Sequence, residues 1–222
     1  PVIIRIAQAC LRAELAPMAI DLLREAVKAS ASSVPLHYEL ARTLKLVGDR
    51  EGALAAYERV LALDSSHAES AYLLAIGAPT DARLERAQTV LEKAVMAAPA
   101  DALRHWQLAR VLANRGRGEA AVAEFREALR LARYQKLVDI AADSQFAIGR
   151  MTSNASDMND AIAAADGAGV DPTEYRSELA QIHFMAGRAG EARAQLEWLV
   201  ARYPRAWGYH YRLGEAHEKA GA

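Results

Sequence analysis

Six histidines and one cysteine are the side chains here best suited to holding a metal or acting as a nucleophile. Their spacing argues against both. His37 and His105 lie 68 residues apart, twice 34, with His210 in the same slot of a later segment, and His183 and His217 lie 34 apart. Residues separated by a whole structural repeat sit on different helices, and helices about 10 Å apart cannot direct such side chains onto one ion held at about 2 Å. His210 and His217 are seven residues apart, two helical turns, which is also too far. His67 falls in a turn. Cys10 has no partner for a disulfide within the chain and shares its slot with Leu44 and Leu112, so it reads as a small buried apolar group. Phosphate-cradling glycine loops, the HExxH pair, paired cysteines and the GxSxG elbow are all missing. The sequence therefore calls for no catalytic centre, no metal and no cofactor. Asn154-Ala155-Ser156 fits a glycosylation triplet, a match frequent by chance.

Binding chemistry is better represented. Tyr38, Tyr72 and Trp106 follow one another at intervals of 34, and Tyr211 takes the same slot in the last segment. In a chain only 6% aromatic, four rings in one column is a pattern. The next column holds Arg42, Ile76 and Arg110, with Lys45 and Asn114 close by. Rings give rigid contact area at low entropy cost, and a guanidinium can stack on them or pair a carboxylate bidentately. Such a stripe suits an extended peptide or a partner protein, and a saccharide is a further ligand class. The competing reading is that the same rings fill space between helices.

The elements that must carry these columns follow from the repeat itself. Leu40-Ala41, Leu74-Ala75 and Leu108-Ala109 recur every 34 residues, as do Ala19, Ala53, Ala87 and Ala121, each followed four residues later by Leu23, Tyr57, Leu91 and Phe125. Within a unit both sets keep three-and-four spacing, so each unit reads as two amphipathic helices. Gly48, Gly116, Gly187 and Gly221 mark the turn between them, and Pro99 and Pro204 follow the second helix. Alanine recurs where helices cross too closely for a larger side chain, so Ala41, Ala53, Ala109 and Ala121 should resist enlargement. A period of this length means stacked units that bury one another's apolar faces. The expected units are about 1–33, 34–67, 68–101, 102–135, an irregular 136–172, 173–206 and a truncated 207–222. From Ala109 to Ala180 is 71 residues, three more than two periods. The polar run Thr152 to Asp157 is the expected place for the extra residues, with the second helix near Asp157 to Ala165.

These residues resemble the tetratricopeptide repeat. His210, Leu213, Gly214 and His217 reproduce its first-helix spacing, and Ala121 with Phe125 its second-helix spacing. Alanine stands after the leucine in every earlier unit. The resemblance implies an all-α fold, a right-handed superhelical solenoid of stacked antiparallel helix pairs forming a single body over 1–222. It also implies that first helices line a concave groove, placing Tyr38, Arg42, Lys45, Tyr72, Ile76, Trp106, Arg110, Asn114 and Tyr211 on the ligand side. The lysine and asparagine clamp of the chaperone-tail branch is not reproduced, and the column that would carry an asparagine ladder holds Arg5, Glu39, Leu73, Gln107, Glu178 and Arg212. The implied function is a non-catalytic scaffold for a protein or peptide. The alternative is the repeat region of a larger bacterial enzyme or polysaccharide synthesis or export protein.

Composition narrows the partners. Twenty-seven basic against 28 acidic residues leave a net charge of -1, so no global basic field favours nucleic acid. No apolar run is long enough for membrane insertion. The repeat restarts at Leu213-Gly214 and stops before its second half, which leads one to expect a longer parent chain, or a homo-oligomer that covers the uncapped ends.

Overall fold

A computed structural model describes residues 2–221, so Pro1 and Ala222, the ends of the expected repeat series, lie outside the described residues. Among the described residues are thirteen α-helices and no strand. They are α1 (Val2–Arg12), α2 (Ala16–Ala29), α3 (Val34–Leu46), α4 (Arg50–Leu63), α5 (Ala68–Gly77), α6 (Asp81–Ala97), α7 (Ala102–Asn114), α8 (Gly118–Gln135), α9 (Val138–Thr152), α10 (Ala155–Ala168), α11 (Thr173–Met185), α12 (Ala189–Arg202) and α13 (Trp207–Ala220). The chain divides into two compact units, residues 1–98 with 111–116, and residues 99–110 with 117–222.

In the first unit consecutive helices α1 to α6 pack on one another. The core is the alanine columns and what faces them: Ala7, Ala19, Leu23, Ala41, Ala53, Tyr57, Ala75, Ala87 and Leu91 are all buried. A methyl group is the largest side chain such crossings accept without overpacking. Cys10 is half-buried, less enclosed than its apolar slot suggests. The α3–α4 turn runs through Gly48 at φ +84°, and the Asp49 carboxylate caps α4 by accepting from Gly52 N at 2.9 Å. One unit breaks this pattern. Pro79 cannot continue a helix, so α5 stops at Gly77 and Thr80 caps α6, accepting from Arg83 N at 3.3 Å. That explains why position 82, where the period would put a turn glycine, is a helical alanine.

In the second unit α8 to α13 pack consecutively and α9 also touches α11. The turn residues locate the three extra positions. Within helix pairs, left-handed backbone marks the turn at Gly116, which closes the first unit, and at Ser153, Gly187 and Gly221, at intervals of 37, 34 and 34, while Lys136 and Gly169 take it between pairs. The insertion therefore precedes Ser153, which corrects the expectation of a longer loop at Thr152 to Asp157. There Thr152 closes α9, Ser153 turns the chain at φ +54°, and Asn154 caps α10 by accepting from Ser156 N at 2.9 Å. The extra length falls within or beside α8, because α9 begins 36 residues after α7 and α8 is the longest helix among the described residues, with 18 against 17 in α6 and 14 in α4 and α12. A longer helix supplies a hydrogen bond for each added residue, whereas a longer turn leaves backbone groups to be satisfied otherwise. The helix expected near Asp157 to Ala165 is the whole of α10.

The same shift exposes an exchange of volume. Counting 37 residues on, Gly149 takes the slot of Leu112 and Met158 that of Ala121. A Cβ at Gly149 would lie 2.8 Å from Met158 Cγ and 2.9 Å from Met158 N. Glycine and methionine here replace leucine and alanine across the helix pair, moving the bulk from the first helix to the second with slightly less in total, so α9 and α10 close together. Met158 is fully buried with Phe146, Ile162, Leu179 and Ile182.

Candidate functional site

Four of the six histidines hold turns or helix starts in place. His37 Nε2 donates to Ala31 O at 2.9 Å, His105 Nε2 to Pro99 O at 3.1 Å and His210 Nε2 to Pro204 O at 2.9 Å, in each case six residues back. This slot ties the start of a first helix to the connection before it. His105 also places Nδ1 2.7 Å from Glu124 Oε2. Arg176 and Gln195, each 71 residues on, repeat that pairing at 3.1 Å. His67 caps α5, its Nδ1 accepting from Ser70 N at 3.2 Å. His183 is buried and its Nδ1 has no hydrogen-bond partner among the described residues; burial, and then the charge of Arg188, hold its pKa below the ordinary value. Among the described residues no group of three or more His, Cys, Asp or Glu is placed to hold a metal ion.

The first unit carries Tyr38, Arg42, Lys45, Tyr72, Ile76 and Asn114. Arg42, Lys45 and Asn114 are exposed and Ile76 is half-buried. Tyr38 is half-buried; its ring tilts against His67 at 4.8 Å and Tyr57 at 6.2 Å, with the Arg42 guanidinium 5.9 Å from its centroid. Burial, reinforced by Tyr38, pushes the Tyr57 hydroxyl up to about 12. Beneath Arg42 lies Glu39, a buried carboxylate 3.5 Å from the guanidinium that also accepts from Gln8 Nε2 at 3.0 Å. Tyr72 differs from the rest of its column. At 5% exposure it belongs to the core, and its ring area is not open to a ligand. A column read from spacing says which residues share a direction, but the depth of each depends on neighbours that are far away in sequence.

The second unit carries Trp106, Arg110 and Tyr211. Tyr211 is 62% exposed on α13, one turn from Trp207 at 80%. Trp106 is half-buried and sits at a cleft of about 370 Å³. From α7 come Leu103 and Trp106, from α9 come Asp139, Ile140 and Asp143, and Tyr175 of α11 closes it. The indole Nε1 donates to Asp143 Oδ2 at 2.5 Å, and the Arg110 guanidinium lies 4.8 Å from the ring centroid. Tyr175 stacks on Phe146 at 4.5 Å and 24°. Burial raises the pKa of the Tyr175 hydroxyl, and the nearby carboxylates of Asp143, Glu174 and Asp139 raise it further.

Asp143 stands where the fifth unit would carry its aromatic, 37 residues after Trp106. A strict period of 34 lands instead on Ile140, which is why spacing alone passes over both aspartates. The 71 residues from Ala109 to Ala180, divided as 37 and 34, would have found Asp143.

Residues 34–67 and residues 177–222 each match a tetratricopeptide-repeat model. Those two stretches are tetratricopeptide repeats. No curated protein matches the chain. Solved structures share its fold. PilW, a widely conserved type IV pilus biogenesis factor, superposes with a TM-score of 0.74 at 15% identity over 96% of each chain. The pilF protein of Pseudomonas aeruginosa gives 0.70 at 18% over 96% of each. The Cut9–Hcn1 hetero-tetramer of the APC/C gives 0.71 at 17%, covering 96% of this chain but 42% of that one, so the chain spans less than half of that relative. At such identities the likeness is one of fold, an all-α helical-repeat solenoid.

Proposed function

We propose that this helical-repeat chain is a scaffold that holds an extended peptide or a segment of a partner protein, and that it does so without catalysis. The observation that carries the reading is Trp106. Its indole is anchored by its edge to Asp143 beside an open cleft whose walls are mainly apolar. A ring held in one rotamer offers contact area with little entropy left to lose on binding. In the first unit the half-buried Tyr38 and the exposed Arg42 and Lys45 provide a second, separate surface of the same kind.

Selection of displayed random dodecapeptides on the full chain tests this. Enriched peptides should bind the wild type and lose about tenfold or more in affinity with Trp106→Ala, the loss expected of an aromatic anchor, while the melting temperature changes little. No enrichment, or enriched peptides that bind Trp106→Ala equally well, would overturn the reading. Tyr72 is unsuitable for such a test. Removing a buried ring costs about 3–5 kcal/mol in stability, so any lost binding would report unfolding.

A further inference from the structure

We propose that the Trp106 cleft of the second unit takes the side chain of an arginine from an extended peptide partner. The inference rests on the scaffold reading and adds the partner's chemistry. The walls of the cleft are apolar and aromatic: Leu103, Trp106, Ile140 and Tyr175. Two carboxylates, Asp139 and Asp143, enter it from the same face of α9, one turn apart; none of its lining residues is basic, and the nearby Arg110 guanidinium stacks on the Trp106 ring 4.8 Å from its centroid. Asp139 is exposed in the first turn of α9, so its carboxylate is open to a ligand from solvent. Asp143 accepts from Trp106 Nε1 through one oxygen, and a carboxylate has further lone pairs to offer.

An aromatic slot with carboxylates at its side complements a guanidinium better than any other peptide group. The planar cation stacks on ring faces and donates two parallel hydrogen bonds to a carboxylate, while its methylene stem covers apolar wall. A glutamate side chain would meet like charge there, and a purely aliphatic one would leave both carboxylates unanswered. Asp143 also ties the site to the repeat, because it occupies the column in which the second, third and fourth units carry Tyr38, Tyr72 and Trp106.

The test is fluorescence anisotropy on the full chain with dye-labelled Gly-Ser-Leu-Xaa-Leu-Ser-Gly, where Xaa is arginine, its neutral isostere citrulline, or glutamate. At low salt the arginine peptide should bind about tenfold tighter than the citrulline peptide, and the gap should narrow as salt rises. Asp139→Asn and Asp143→Asn should each bring the arginine peptide close to the citrulline affinity. Asp139→Asn removes an exposed charge and keeps the side chain's shape, so its melting temperature should stay within a few degrees of the wild type and a folding defect cannot imitate the result. Equal binding of the arginine and citrulline peptides, or binding of neither, overturns the inference. Peptides from the display selection then judge the scaffold reading separately: if they bind and depend on Trp106 but lack a basic position, the scaffold stands and the arginine pocket falls.

Discussion

His183 is the residue whose chemistry departs most from its sequence neighbourhood. It shares a slot with Leu44 and Leu112, and the structure buries it as though it were a leucine, leaving Nδ1 without a partner. Its folded pKa lies below 6.5 through burial and through Arg188, against a smaller opposing pull from Glu191. Above pH 6.5 the ring is neutral in both states and imposes no penalty. As pH falls below 6.5 the unfolded chain takes up the proton first, so stability drops, with a limiting slope of about 1.4 kcal/mol per pH unit for one proton. His183→Leu should remove this acid sensitivity, read as the difference in urea midpoint between pH 7.5 and pH 5.5; an unchanged pH slope would show that other groups cause it. His37, His105 and His210 were legible as one slot because their spacing repeats with the units. What each one bonds was not, because a carbonyl six residues back is reached only once the connection has folded.

At the scale of elements, boundaries were read correctly wherever local chemistry decides them. The glycine turns, the stops before Pro99 and Pro204 and the helix pairing all depend on residues within a few positions of one another. The register of the fifth unit was misplaced because two local answers compete: polar residues at Thr152 to Asp157 favour a loop, yet a two-residue turn of Ser153 and Asn154 uses them fully as caps. The crossing of α9 and α10 gives this a measurable consequence. Gly149→Ala brings a Cβ within 2.9 Å of Met158 N, so it should destabilise by about 1–3 kcal/mol despite alanine's better helix propensity. Gly214→Ala, in the interior of α13 with nothing within 4 Å, should instead stabilise by about 0.5–1 kcal/mol. Urea titration of the two variants separates packing from propensity, and a stabilising Gly149→Ala would sink the packing account.

At the scale of the molecule, the net charge of -1 predicts no duplex DNA retention at physiological salt in a mobility-shift assay; salt-sensitive retention would contradict it. Among the described residues no helix is long and apolar enough to cross a membrane. Two compact units each bury an alanine-lined core, and each carries its own part of the aromatic column. The repeat, the helix pairs, the turn slots and the small residues at helix crossings were determined by the sequence alone, because each follows from spacing of 3.6 or 34 residues that any stacked helical hairpin must keep. Only the tertiary structure decided that Tyr72 is core, that Trp106 is pinned by Asp143, and that Asp139 joins them at a cleft. Burial depth and a partner 37 residues away depend on how far neighbouring helices slide and close, and on where three extra residues are absorbed. No periodicity carries that information.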